Sequence, residues 1–139
     1  MRTITGLFTA ALLFTFAAPA AADFDASMTA YRQGDYETAF EGFMEDAVKG
    51  DDFAQHNVAV MLYRGEGVER DPARAFAWMT LAAQGDEPTI LRSYAAMVIL
   101  TDSNSISRGR QLARHLAARH GLRLESEKPV SGLRVVGEP

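Results

Sequence analysis

Histidine is the residue type best suited to metal ligation or proton transfer near neutral pH, and this chain of 139 residues has three, His56, His115 and His120. No two of them stand four apart, the spacing that sets two imidazoles on one helical face. His115 and His120, five apart, diverge by about 140° around a helix, which sets one toward solvent and the other near the apolar side. No zinc site follows, and no metal or cofactor is expected. The chain has no cysteine, hence neither a disulfide nor thiolate chemistry. It also lacks a Gly-x-Ser-x-Gly elbow and any pair of carboxylates forced together by spacing, so no catalytic residue emerges from local pattern, although a triad assembled from distant residues leaves no such mark. Gly65-Glu66-Gly67 has the look of a phosphate-cradling turn. Such turns follow a strand, however, and here a helical pattern precedes the glycines, which therefore read as a helix stop and a turn.

Charge is distributed more informatively than the histidines are. From Asp23 to Glu87 there are 14 acidic and 5 basic side chains, and from Pro88 to Pro139 there are 4 acidic and 8 basic. Arg108, Arg110, Arg114, Arg119 and His115 fall on the face opposite Leu112 and Leu116. Such a stripe is a solvated outer face, a surface answering the acidic repeats of a second copy, or a docking site for an anionic partner such as an acidic protein segment or a lipid surface. Nucleic acid is disfavoured by an overall pI of about 5.3.

The elements that position these residues are helices. In the run from Asp52 to Gly85, Ala54, Val58, Met61 and Leu62 recur at helical spacing, and Ala75, Trp78, Met79 and Ala82 do so again. Asp52 with Gln55 has the form of a capping box, Asp71-Pro72 of an N-cap and N1 pair, and Gly65 and Gly85 of left-handed C-terminal residues. Upstream, Gly34-Asp35-Tyr36 through Gly50 mirrors Asp71-Pro72 through Gly85. Asp35 and Asp71 are 36 residues apart and Gly50 and Gly85 are 35, close to the period of helix-turn-helix repeats. A short helix over Ala26 to Gln33 completes that first pair. Downstream, Glu87-Pro88 opens a helix to about Leu100, apolar on nearly all sides and so expected to be buried between neighbours. Ser105 or Ser107 caps a sixth helix ending near Gly121. Met28, Met44, Met61, Met79 and Met97, one in each of the first five helices, read as core filler rather than as a plastic binding surface.

The central unit also carries a family pattern: Ala54, Asn57, Met61, Gly65-Glu66-Gly67-Val68, Asp71-Pro72, Ala75, Trp78, Ala82-Ala83 and Gly85. It resembles a Sel-one-like repeat, one of the tetratricopeptide-like helical repeats. It departs from that pattern at Ala59, where members usually carry Gly, at Leu62, where they carry Tyr, and by one residue before Gly85. The resemblance implies an all-α fold, a short right-handed α-solenoid of about three antiparallel helix pairs, covering roughly Asp35 to Gly121 and weakening toward both ends. Gly65, Gly67, Asp71, Pro72, Trp78 and Gly85 are its structural positions, with Trp78 between repeats. It further implies a scaffold that binds another protein, with the first helix of each pair lining a concave ligand side. On the helical wheel that side shows His56, Val60 and Tyr63, and one repeat later Arg92, Ala96 and Ile99. Partner contacts are accordingly expected at His56, Tyr63 and Arg92, or at Arg108, Arg110 and Arg114.

Residues 1–22 read differently from the rest. Met1-Arg2 is a short basic start, Leu7 to Ala18 is apolar, and small residues run to Ala22, the pattern of a cleaved signal peptide that is too short to span a bilayer. The expectation is a mature repeat domain over 23–121 with a mostly irregular tail over 122–139, in a bacterial periplasm or secreted. The composite expectation is an adaptor or regulator in the cell envelope. An envelope hydrolase and a self-associating structural subunit are the alternatives.

Overall fold

The computed structural model describes residues 23–125, so the signal segment expected over 1–22 and the tail beyond 125 lie outside the described residues. Within them the chain forms six helices and no strand: α1 Phe24–Gln33, α2 Tyr36–Ala47, α3 Asp52–Arg64, α4 Pro72–Ala82, α5 Pro88–Leu100 and α6 Ser103–His120. The all-α solenoid architecture is that expected from the repeat pattern.

Every helix begins on an acidic N-cap whose carboxylate accepts a backbone N–H of the first turn, which satisfies an otherwise orphan donor and places negative charge at the positive end of the helix dipole. The caps are Asp23, Asp35, Asp51, Asp71, Glu87 and Asp102. Three starts differ from the sequence expectation. Helix α1 starts two residues before Ala26, because Asp23 accepts from Asp25 N. Helix α3 is capped by Asp51, 2.7 Å from Ala54 N, and not by Asp52; Gln55 turns away from the expected capping box and donates Nε2 to Ala47 O at 3.1 Å. Helix α6 is capped by Asp102 rather than by Ser105 or Ser107, with its carboxylate 2.9 Å from Ser105 N. Hydrogen bonds from the Ser105 side chain and backbone hold the Asp102 carboxyl below the usual carboxylate range.

At the C-terminal ends, Gly34, Gly65 and Gly121 take the left-handed conformation that ends α1, α3 and α6. Gly85 does not, which corrects its assignment as a left-handed cap. Helix α4 ends through Ala83 at φ −75°, and a Cβ on the glycine two residues on would lie 2.6 Å from Asp52 Oδ2, so a side chain there would have to displace the Asp52 carboxylate.

The core centres on α4, which packs extensively on both α3 and α6. Ala73, Ala75, Phe76, Ala77, Trp78, Met79, Leu81 and Ala82 are all buried, and Trp78 is the largest fully buried side chain in the structure. Helix α6 answers with a narrow line one turn apart, Ser105, Gly109, Ala113 and Ala117. A Cβ at Gly109 would lie 2.7 Å from Ala73 O and 2.9 Å from Phe76 Cβ, so the backbones are as close as a glycine allows. The third pair is therefore not a simple hairpin, because α6 seats on α4 rather than on α5.

Helix α5 is not buried between neighbours as its all-round apolar pattern suggested. Only Ile90, Ala95 and Met97 are buried, while Ile99 and Leu100 are 74% and 66% exposed, since α4 packs along one side, α3 touches the helix at Ser93 and Leu100, and the Ile99 side stays open. The tail also differs from expectation at its start: Leu122 and Leu124 pack against the core, and Glu125 N donates to Gln84 Oε1 at 2.9 Å. Of the methionines, Met61, Met79 and Met97 are buried, and Met28 and Met44 are partly buried against the core.

Two stability outcomes follow. Trp78→Ala empties the centre of the stack and should cost about 3–5 kcal/mol in urea denaturation; an unchanged midpoint would remove Trp78 from that role. Gly109→Ala should destabilise by about 1–3 kcal/mol through overpacking, although alanine ordinarily improves a helix interior. A variant more stable than the parent would show that α4 and α6 do not approach so closely.

Candidate interaction surfaces

The residues expected on the concave side belong to α3 and α5, and the structure brings two of them into contact with the neighbouring helix. His56 lies 3.0 Å through Nε2 from Ser93 Oγ, and Tyr63 OH donates to Leu100 O at 3.3 Å. The Ser93 hydroxyl itself donates to Thr89 O at 3.1 Å, so the imidazole is the donor toward serine and Nε2 carries the hydrogen. Burial pushes the His56 pKa below its ordinary value of 6.5. Tyr63 additionally carries Arg70 over its ring at 5.3 Å, with Arg70 Nε donating to Tyr63 O at 2.9 Å. Both side chains are thus half-buried links between helices. Arg92 is exposed and reaches only Thr89 Oγ1 at 3.3 Å on its own helix.

The α6 candidates present themselves differently. Arg108, Arg110, Arg114, Arg119 and His115 are all exposed. Arg108 donates to Ser105 Oγ at 3.4 Å, a weak contact within its own helix. His120 is exposed as well, which corrects the expectation that one of His115 and His120 lies near the apolar side: the buried line of α6 is narrow enough to leave both outside it. Among the described residues no three His, Cys, Asp or Glu side chains are grouped to hold a metal ion, and no helix is long and apolar enough to cross a membrane.

The glycine loop after α3 turns inward toward the preceding repeat. Tyr31 OH donates to Glu66 Oε2 at 2.7 Å, and Arg64 reaches the same hydroxyl at 3.4 Å. Burial first, then the hydrogen bond and charge of Glu66, raise the Tyr31 pKa. Gly67 adopts φ 67°, and any Cβ on it would collide with the Tyr36 carbonyl. Its bare backbone is what lets one repeat sit on the next. Asp71 accepts from Arg74 N at 3.0 Å and Pro72 opens α4, both in their expected roles.

Sequence patterning left a further feature unassigned. Asp52, Gln55, Gln84 and Arg123 line a cavity of about 340 Å³ at one end of the array. They come from three separate segments, and no local spacing announces their meeting. The one available signal was Gln55, a polar residue adjoining the apolar Ala54 and Val58 positions of α3.

The Sel1 repeat family model matches residues 52–87, which span α3, the glycine loop and α4. The chain is also similar to the crystal structure of a protective antigen present in uropathogenic Escherichia coli strains and displaying an SLR fold, with a TM-score of 0.61 and 20% identity over 78% of this chain. It spans 27% of the length of that antigen, and the likeness establishes the fold. No curated protein matches the chain significantly in sequence. Sel1 repeats generally mediate protein–protein interaction and generally act as non-catalytic scaffolds. The central helix pair thus carries the match to the Sel1 repeat model, and the helical array as a whole is similar in fold to a solved SLR structure.

Proposed function

We propose that this protein is an exported scaffold that binds a protein partner in the cell envelope, acting as an adaptor or regulator through the outer face of α6. The single observation that carries this reading is the set of exposed cations on that helix, Arg108, Arg110, Arg114 and Arg119, on a face that no other described helix covers. Exposed arginines at a fixed spacing on a rigid helix suit recognition of carboxylates, which they grip bidentately. The alternative site is weakened by the same geometry, because His56 and Tyr63 are already engaged with α5. Export is supported by the basic start, apolar run and small residues of 1–22.

A second reading, self-association, is favoured by the opposition of the basic α6 face to the exposed acidic side chains Glu37, Glu41 and Glu45 of α2. Light scattering separates the two. Mass rising with concentration and falling with salt marks contact between copies, and constant mass leaves the heterologous partner.

The partner reading predicts that tagged protein recovered from cross-linked periplasmic fractions brings down one protein at stoichiometric yield. Changing Arg108, Arg110 and Arg114 together to Glu should abolish that recovery without altering the circular dichroism spectrum. Undiminished recovery would move the contact away from α6. The engagement of His56 generates a separate outcome. Its folded pKa lies below the unfolded value of 6.5, so its contribution is complete above that pH and is lost as pH falls through the folded value. The melting temperature of the parent, measured relative to His56→Gln, should therefore fall between about pH 7.5 and pH 5. A constant difference would show that the imidazole is not held neutral by the fold.

A further inference from the structure

The cavity of about 340 Å³ is large enough for a small ligand or one side chain of a partner, and its wall is unusual in what it offers. It forms where the turn after α2, the first turns of α3, the end of α4 and the chain leaving α6 converge. Gln55 in that wall is only 2% exposed. Its Nε2 donates to Ala47 O at 3.1 Å, which fixes the amide orientation, and its Oε1 is buried with no hydrogen-bond partner among the described residues. Buried acceptors are rarely left in that state, so a donor is missing from this site.

Asp52, one turn before Gln55 on the same face of α3, supplies a second acceptor to the cavity. Its carboxylate fills the space that a side chain at Gly85 would take. Burial, then the neighbouring charge of Asp51, raise its pKa above the ordinary carboxylate value, with Arg123 acting in the opposite direction. The C-terminal ends of α2 and α4 abut the same space, and neither carries a basic residue in its last turn, so their negative dipole ends are unanswered there. Of the basic residues at the rim, Lys49 pairs with Asp46 at 2.9 Å and Arg123 Nε lies 2.9 Å from Glu125 Oε1, while His120 is exposed at the same edge.

The unpartnered Gln55 carbonyl and the Asp52 carboxylate in one cavity wall fit a compact positive group bearing several N–H donors. We propose that the cavity binds a primary ammonium group, with Gln55 Oε1 and the Asp52 carboxylate accepting its hydrogens. The group belongs either to a small amine or to a lysine side chain of a bound protein. The site is separate from the α6 face and does not depend on the function proposed for it.

The test is NMR titration of the isotopically labelled full chain with butylammonium, with the tripeptide acetyl-Gly-Lys-Gly-amide, and with three controls: tetramethylammonium, butanol and butyrate. Butylammonium should shift the Gln55 side-chain resonances and the amides around 47–55 and 81–85, while the controls should not. Asp52→Asn, which keeps the shape and removes the charge, should weaken binding by about tenfold or more. Gln55→Met should also weaken it, and the Ala47 carbonyl would still be satisfied by Gly50 N at 3.1 Å. Tighter binding of the tripeptide than of butylammonium assigns the site to a protein lysine, and the reverse order assigns it to a free amine; either supports the site. Absence of shifts at Gln55 at millimolar ammonium, equal binding of tetramethylammonium, or an unchanged affinity in a folded Asp52→Asn variant would overturn it.

Discussion

The close approach of α4 to α6 is the constraint on which the rest of this structure depends. Two helices meet this tightly only where one offers a bare backbone and the other small side chains, and here Gly109 faces the Ala73 carbonyl and the Phe76 side chain. That contact places α6 across α4 instead of against α5, covers Phe76, and leaves the long polar flank of α6 in water. The arginine-bearing face is exposed because the opposite edge of the same helix is so narrow. Packing at the centre thus determines which chemistry reaches the surface.

The acidity of the chain acquires a different meaning in the fold. Five of the carboxylates that make its first half strongly negative, together with Asp102 in the second, begin helices and accept backbone N–H groups of the first turn. An acidic excess used in this way is local and directional. The arginines of α6 are exposed along their helix and cap no helix start, and this difference separates the two ends of the molecule more sharply than net charge does.

Helix existence, the pairing of α3 with α4 and the burial of Trp78 were legible in the sequence because caps, period and composition agreed over the central unit. Boundaries slipped where several candidate caps stood together: Asp51 beside Asp52, and Asp102 before Ser103 and Ser105. Burial was misjudged for α5, since an apolar helix reports what it could bury and not whether a neighbour arrives to cover it. The roles of Gly85 and Gly109 were hidden for a related reason. Each is set by an atom distant in sequence, Asp52 Oδ2 in one case and Ala73 O in the other. The concave candidates His56 and Tyr63 engage Ser93 and Leu100, each 37 residues away, and those partners appear only once α5 is in position.

The inward turn of the glycine loop bears on how the molecule comes apart. In an idealised solenoid each unit contributes an intrinsic term and an interface term, and the balance between them decides whether units melt singly or together. Here α1 is tethered to the loop of the next unit through Tyr31 and Glu66, α2 is pressed against Gly67, and α6 is locked into α4. Every outer element is therefore fastened to the middle one rather than simply resting on it. Such coupling removes the partly melted intermediates open to longer arrays. In an array this short, with no disulfide, such links favour loss of the outer helices together with the middle pair.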